Sequence, residues 1–298
     1  MATLSDMIDE VRASLAGYTL RQDRITYLNQ AINTTATAIP IGSSNNLAKG
    51  IIEIDDELIW IDNFTINNST LNAAPGFGRG YQNTTPAPHA QHAQVILSPT
   101  FPRTIIKKAI NDTINSVYPK LWAIGSTTFT FNAARVTYPL PDEMRSVLYM
   151  SWQTTGSSRE WLPIKKWRQD LMANIPTFNT QKTLNIYENI QPGRTVKVWY
   201  TMEPNTLDSS TDDFADVTGL PATCEDVITL GASYRLLSYI DSGRINLSSA
   251  EADFGDTKLP STAGATSSKY IYALYQDRLN SEALKLQDKF PVRLHYTK

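Results

Sequence analysis

The stretch that decides the fold of this chain is Gly76-Phe-Gly-Arg-Gly-Tyr-Gln-Asn-Thr-Thr-Pro-Ala-Pro-His-Ala-Gln-His-Ala-Gln-Val95. It follows a predicted β-hairpin, Ile51-Ile-Glu-Ile-Asp-Asp-Glu-Leu-Ile-Trp-Ile-Asp62. Two glycines flank Arg79 and allow backbone angles that other residues resist. Glu57 leads into an apolar strand, and a two-pronged bond between arginine and a carboxylate has the geometry to hold two crossing strands together.

Composition indicates a folded protein with two or three subdomains. The chain has 298 residues, of which 41% are hydrophobic and 19% charged, so it is long enough to bury a core. Its 14 Tyr, 9 Phe and 6 Trp do not suit a disordered protein. No apolar run approaches the roughly 20 residues of a membrane span.

The charge balance and the start of the chain bear on partners and location. The net charge is −2, whereas proteins that wrap nucleic acid usually carry a basic excess. If the protein contacts DNA, this near-neutral to acidic net charge suits DNA that passes along the protein better than DNA that is held by it. The beginning, Met-Ala-Thr-Leu-Ser-Asp-Met-Ile-Asp-Glu, is acidic and amphipathic, unlike a signal peptide, which predicts synthesis in a cytoplasm.

Four regions show the helical spacing of apolar residues. They cover about residues 4–32 with a break at Gly17, 103–118, 225–240 and 267–290. Two β-rich segments, 36–100 and 126–205, lie between them, and strand 195–201 shows the alternation of an antiparallel strand. A short helix is predicted over 165–171 between strands of the second segment.

We predict an α+β fold: a discontinuous helical bundle core with two inserted antiparallel β subdomains. This arrangement is expected because each apolar helical stripe needs cover from another element. A string of three separate domains also fits the sequence. The predicted divisions are 1–35 (opening helical segment of the core), 36–100 (β insertion), 101–125 (middle helical segment of the core), 126–208 (second β subdomain) and 209–298 (closing helical segment of the core, with a long polar loop at 241–268 and a C-terminal tail).

Motifs of catalysis and cofactor binding are missing from the sequence, so we predict no catalytic, cofactor or metal site. The single cysteine, Cys224, excludes an internal disulfide framework and is expected to be buried. His89 and His92 lack further ligands at zinc spacing, and the acidic runs 212–216 and 251–256 lack a complete calcium loop. No nucleophile elbow or phosphate loop is present. The paired carboxylates of a glycosidase stay an open alternative, because their separation is spatial.

Four tryptophans, at 152, 161, 167 and 199, cluster in the second β segment. The simplest interpretation is packing within the core and the hairpins. A subunit interface and a platform for sugars are the alternatives.

The passage from 51 to 95 resembles a small β-module that recurs in virion proteins of tailed bacteriophages. Glu57, Arg79 and His89 are its matching polar residues, and the resemblance implies that they hold the module in shape, with a direct interface role as the alternative. Asn83 departs from the module, which has glycine before threonine at this point. The order of the remaining segments resembles the head-to-tail adaptor (connector, head completion) proteins, through residues 4–12, 25–32, 101–119, 220–237 and 272–283.

This resemblance implies a structural virion protein and not an enzyme. Its copies, usually about twelve, would form a ring in the neck of the virion between the portal protein and the tail, closed by head-to-tail contacts. DNA would pass through the central channel without sequence-specific binding, tail or fibre proteins would bind the β subdomains, and no membrane or cofactor would be involved. The mixed basic and aromatic C-terminal segment is the predicted portal-docking site: Phe290, Pro291, Val292, Arg293, Leu294, His295 and Tyr296.

Two other functions are compatible with the sequence. A carbohydrate-binding virion module, or a tail-associated glycan-processing protein, would place the tryptophans in an exposed groove. A scaffold-like protein elsewhere in the virion is the third possibility.

Overall fold

The structure is a computed structural model that describes residues 2–18, 23–43, 47–155, 159–173, 178–251 and 263–290. The chain divides into two compact units. We call them the six-strand unit, Ser5–Asp112 with Thr229–Tyr272, and the seven-strand unit, Met1–Leu4 with Thr113–Ile228 and Ala273–Lys298. Each unit therefore combines segments that are distant in the sequence.

The six-strand unit contains one antiparallel sheet with the strand order β1-β6-β3-β4-β5-β2. Its hairpins arise from runs of isoleucine and leucine separated by short polar turns, as β-propensity favours. The strands are β1 (Arg24–Tyr27), β2 (Ala38–Pro40), β3 (Gly50–Ile54), β4 (Glu57–Thr65), β5 (Thr70–Ala73) and β6 (Gln94–Leu97).

The two edges of this sheet are linked, so that it curls around its own apolar core. Leu28, just after β1, forms an antiparallel bridge with Ile41, just after β2. The enclosed core consists of residues from the strands and the loops beside them, with Ile39, Ile54, Ile59 and Leu71 completely buried. Alternation along the strands places these side chains on one face.

The seven-strand unit contains a four-stranded sheet, β10-β9-β13-β7, and a three-stranded sheet, β11-β12-β8. A shared core lies between their strands and includes Met144, Met150, Leu184, Val196 and Val198. The strands are β7 (Ala123–Thr130), β8 (Thr137–Pro139), β9 (Met144–Gln153), β10 (Trp161–Pro163), β11 (Trp167–Asp170), β12 (Thr183–Ile186) and β13 (Thr195–Met202).

Five α-helices occur in the described residues. They are α1 (Leu4–Ala16), α2 (Arg103–Val117), α3 (Phe214–Thr218), α4 (Glu225–Glu251) and α5 (Ala263–Lys289). Asp213 caps α3 by accepting hydrogen bonds from two backbone N–H groups, which satisfies donors that a helix start leaves open. None of the described helices has the length and apolar character needed to cross a membrane.

The predicted fold class is wrong. The fold is built mainly from three β-sheets, and the described helices do not form a bundle that serves as the core for two β insertions. The sheets enclose apolar cores of their own, made by strand and loop residues. The helices predicted at 103–118, 225–240 and 267–290 exist as α2, α4 and α5, but the spacing of their apolar residues does not specify which element covers them.

Three local predictions also need correction. Residues 25–32 form β1 and two bridges instead of a second helix, because pairing with β6 outweighs the helical spacing. The helix predicted at 165–171 is the strand β11, which pairs with β12. The loop predicted at 241–268 is shorter, since α4 continues to Glu251 and α5 begins at Ala263.

Candidate functional site

The most distinctive polar site of the described residues is the turn between β3 and β4. Four carboxylates, Glu53, Asp55, Asp56 and Glu57, occur here within five residues. We call Glu53–Glu57 the acidic hairpin. Both glutamate side chains are nearly inaccessible to solvent, so their charges depend on protein groups for stabilisation.

Glu57 is the centre of the first cluster. Its Oε1 accepts hydrogen bonds from Arg79 Nε at 2.7 Å and from the backbone N of Gly80 at 2.9 Å. Its Oε2 accepts from Arg79 Nη2 at 2.8 Å, from the backbone N of Ala87 at 3.0 Å and from His89 Nε2 at 2.9 Å. Burial disfavours the charged carboxylate, but the hydrogen bonds from Arg79 and His89 outweigh it and lower the pKa of Glu57 to about 2.

Arg79 uses all the donors of its guanidinium. Besides its two-pronged bond to Glu57, Nη1 donates to the carbonyl oxygens of Asn33 at 2.7 Å and Ala36 at 2.9 Å, and Nη2 donates to that of Ala87 at 2.7 Å. A guanidinium has five N–H groups, and these bonds account for each of them. Arg79 therefore joins the acidic hairpin to two loops that are remote in the sequence.

His89 lies between two carboxylates. Its Nδ1 is 2.7 Å from Asp55 Oδ2, and its Nε2 is 2.9 Å from Glu57 Oε2. Because carboxylate oxygens only accept, both ring nitrogens must donate, and the ring is an imidazolium. Burial disfavours that charge, but the hydrogen bonds to Asp55 and Glu57 outweigh it and raise the pKa of His89 to about 9. The cluster then has two cations and two anions and is neutral.

Backbone geometry explains the glycines of the module. A Cβ on Gly78 would lie 2.4 Å from the backbone N of Ala74, and a Cβ on Gly80 would lie 2.7 Å from the carbonyl oxygen of Thr84. Asn83, where the module has glycine, has a φ of 65°. Asparagine tolerates this left-handed region better than most residues, so the turn forms here without a glycine.

Glu53 anchors a second network in the same unit. Its Oε1 accepts from Arg12 Nη2 at 2.5 Å, and its Oε2 accepts from the backbone N of Arg103 at 2.6 Å. The Arg103 side chain donates to Asp56 Oδ1 at 3.0 Å and to Asp9 Oδ1 at 2.7 Å. Burial raises the pKa of Glu53 in spite of these cations. The network ties α1 and the first residue of α2 to the acidic hairpin.

Sequence reasoning missed this second network. It identified Glu57, Arg79 and His89, which the structure brings together, but not Asp55, which belongs to the same cluster. It also missed Glu53, Arg12 and Arg103 of the second network. The available signal was the density of carboxylates between two apolar strands, since buried carboxylates require cationic partners. Which arginines supply the charge is not visible in the sequence, because Arg12 and Arg103 are 41 and 50 residues away.

The other predicted residues lie elsewhere. Phe290 is half-buried, and its ring centroid is 5.6 Å from that of Trp122. Pro291, Val292, Arg293, Leu294, His295 and Tyr296 lie outside the described residues. Cys224 is buried as predicted, and burial raises the pKa of its thiol to about 12.

His92 and the acidic run 212–216 make contacts other than with a metal. His92 makes a tilted ring contact with Tyr27. Of the acidic runs, Asp212 and Asp213 accept backbone hydrogen bonds in a turn and a helix cap. Within the described ranges, no three His, Cys, Asp or Glu side chains are placed to hold a metal ion.

The four tryptophans separate into two pairs. Trp152 and Trp167 pack against the core of the seven-strand unit. Trp161 is 42% exposed, and Trp199 alternates along β13 with the completely buried Val196 and Val198. Lys197 Nζ lies 4.1 Å from the centre of the Trp199 ring. Trp161 is therefore exposed to solvent, and Trp199 faces outward with Lys197 over its ring, whereas Trp152 and Trp167 face the core.

Comparisons with known proteins identify no family, so the role of this site is inferred from its geometry. No protein-family model matches the chain, and no curated protein matches it significantly. In the two networks of the acidic hairpin, the described donors and acceptors are bonded mostly to one another. The arrangement is thus suited to holding chain segments in place.

We predict that Glu57→Gln destabilises the protein by about 3–5 kcal/mol, because it leaves buried cations without their charged partner. The change preserves side-chain size, so packing is not the cause. Urea unfolding followed by circular dichroism measures the effect. The matched control is Glu203→Gln, which removes an exposed partner of Arg145 and is expected to cost about 1 kcal/mol or less. Equal costs for the two variants would contradict a central role of Glu57.

We predict that the Glu57 cluster contributes most to stability between about pH 4.5 and 6.5. The pKa of His89 rises from 6.5 to about 9 on folding, so its contribution is complete below pH 6.5 and is lost as the pH rises to 9. The pKa of Glu57 falls from 4.5 to about 2, so its contribution is complete above pH 4.5 and is lost as the pH falls to 2.

Urea midpoints measured from pH 2 to 10 test this profile. His89→Gln is expected to flatten the alkaline side, whereas the matched change His92→Gln leaves it intact. An unchanged alkaline slope in His89→Gln would show that another group causes it.

Proposed function

We propose that this chain is a structural virion protein that forms a ring adaptor between the portal and the tail of a tailed bacteriophage. The observation that carries the proposal is the buried cluster of Glu57, Arg79 and His89. These residues make the resemblance to the virion module distinctive, and their bonds to one another maintain its shape. The resemblance to adaptor proteins led us to expect a helical bundle core, which the described helices do not form. The proposal therefore depends on the resemblance of residues 51–95 to the β-module.

The mechanism is mechanical. A module braced by buried ion pairs holds its surface in one conformation, which lowers the entropy cost of binding a neighbour. Repetition of one contact around an axis closes a ring when the rotation closes. The net charge of −2 adds no strong attraction for the DNA that the channel passes.

Exposed apolar side chains on the six-strand unit are consistent with contacts to other subunits or to the portal. Ile25 and Tyr27 are 56% and 50% exposed and lie two residues apart on β1. Phe64, near the end of β4, and Ile66, in the turn that follows it, are 37% and 65% exposed. Side chains two apart on a strand share a face, so Ile25 and Tyr27 form a local apolar surface of the kind found at interfaces.

We predict that the purified chain forms closed rings of about twelve copies, alone or on its cognate portal protein, because one repeated head-to-tail contact closes on itself. Light scattering gives the mass, and electron microscopy shows whether the particles are rings with an open centre. Truncation after Phe290 tests the predicted portal contact of the C-terminal segment and is expected to weaken portal binding while rings persist. A chain that stays monomeric with its portal would reject the proposal.

A carbohydrate-binding module is the second candidate function, and one observation favours it. Trp199 lies directly opposite the exposed Tyr149, and Trp161 lies opposite Gln153 on the same sheet. Aromatic faces beside neutral hydroxyl and amide groups are suited to stacking against sugar rings.

We predict for this candidate that Trp161→Ala lowers binding to host surface glycans about tenfold or more, because it removes an exposed stacking ring. A glycan array followed by titration measures the change. Leu162→Ala, at the neighbouring position of β10, is the matched control. Binding of no glycan by the wild-type chain would exclude this function.

A further inference from the structure

Two uncharged stretches of the sequence meet in the six-strand unit. Residues 25–48 and 63–78 contain no Asp, Glu, Lys, Arg or His, although 19% of the whole chain is charged. The strand β2 belongs to the first stretch and β5 to the second, and the two strands pair with Pro40 opposite Thr70. The fold therefore brings together residues that are polar or small but carry no charge.

A groove with a volume of about 520 Å³ lies where these stretches meet, and we call it the amide groove. Its lining consists of residues 29–33, Ala36, Ala38 and Pro40 from the first stretch and Asn68 and Thr70 from the second, none of them charged. The volume falls within the range of about 300–1,000 Å³ that is usual for small-ligand sites.

The Glu57 cluster fixes one end of the wall formed by residues 29–33. Ile32 exchanges both of its backbone hydrogen bonds with His89, each at 2.9 Å. Arg79 Nη1 donates to the carbonyl oxygen of Asn33 at 2.7 Å. This end of the wall is thus held in place before any ligand binds, which lowers the entropy cost of binding.

The other end of the wall is held through Asn29. Its backbone N donates to the carbonyl oxygen of Pro40 at 2.9 Å, and its carbonyl oxygen accepts from Gln91 Nε2 at 2.9 Å. An added peptide strand would need free backbone groups for its own hydrogen bonds, and these are already in use. The groove is therefore suited to a ligand that is recognised by side chains.

The side-chain amides of the groove supply those contacts. Asn29, Gln30 and Asn68 are exposed, and within the described part of the chain no residue is hydrogen-bonded to their side chains. Each amide offers one acceptor oxygen and two N–H donors, and a hydroxyl group both donates and accepts. Three amides around one groove can therefore bind several hydroxyl groups of a single ligand.

We propose that the amide groove binds an uncharged glycan. An anionic ligand would call for arginine or lysine and a cationic one for carboxylates, and the lining supplies neither. This inference goes beyond the ring adaptor. It is also independent of the outward tryptophans, because Trp161 and Trp199 belong to the seven-strand unit.

Binding of neutral oligosaccharides to the full-length chain tests the proposal. The probes are maltoheptaose, cellohexaose, mannohexaose and chitohexaose, with hexagalacturonate as the charged comparison, and isothermal titration calorimetry measures the affinity. We expect at least one neutral probe to bind about tenfold or more tightly than hexagalacturonate, with little change as salt is added, because no charges are paired. Failure of all four neutral probes to bind, or tighter binding of hexagalacturonate, would overturn the proposal.

The double variant Asn29→Ala/Asn68→Ala locates the binding site. Loss of two amides is expected to weaken binding of the neutral probe about tenfold or more. Both side chains are exposed, so the urea midpoint should stay at the wild-type value. Gln94→Ala removes an exposed amide of β6 outside the groove lining and should leave the affinity unchanged. Wild-type affinity in the double variant would show that the inference is wrong.

Trp161→Ala separates this groove from the tryptophan surface, and the ring assay separates it from the adaptor function. We expect Trp161→Ala to bind the neutral probe as the wild-type chain does. Loss of binding in Trp161→Ala but not in the double variant would place the glycan on the seven-strand unit and reject the groove. Glycan binding that depends on Asn29 and Asn68 in a chain that forms no rings would reject the adaptor function but support the groove.

Discussion

Desolvation of carboxylates is the constraint on which the six-strand unit depends. The acidic hairpin places four carboxylates in five residues, and the two glutamates among them are buried. A buried carboxylate is tolerated only when cations and N–H donors replace the water it loses. Arg79 and His89 do so for Glu57, and Arg12 does so for Glu53. Loops and helices from distant regions of the chain are thereby held against one hairpin.

The two networks of the acidic hairpin are relevant to the proposed function because they hold this part of the structure rigid. In the Glu57 cluster the guanidinium donates five hydrogen bonds and the imidazolium two, so neither group has a donor left for a ligand. A cluster with no unused donors fits a protein whose proposed role is to present fixed surfaces to neighbouring subunits. Reactive sites show the opposite arrangement, in which a perturbed group faces a cleft.

The error in the predicted fold class has a physical cause. The spacing of apolar residues in α2, α4 and α5 correctly indicated helices. From the apolar stripes expected on α2 and α5, and the apolar residues expected around much of α4, we inferred that the helices cover one another. Strands such as β3, β4 and β13 have apolar residues of their own to bury, and they do so within sheets that supply separate cores. The hairpin of β3 and β4 is local, but the pairing of β1 with β6 and of β13 with β7 joins residues far apart in sequence, for which a single sequence offers no local signal.

By itself, the sequence determined the existence of three long helices and the burial of Cys224, because these follow from the local spacing and composition of apolar residues. Glu57, Arg79 and His89 were singled out by the resemblance to the virion module and not by their spacing. Only the tertiary structure decided that residues 25–27 form a strand. It also decided that Trp161 and Trp199 face outward while Trp152 and Trp167 face inward. The same holds for Arg12 and Arg103, which donate hydrogen bonds to Glu53. These outcomes depend on which distant segments meet. The free energy of such contacts belongs to pairs of segments and is not encoded in either one alone.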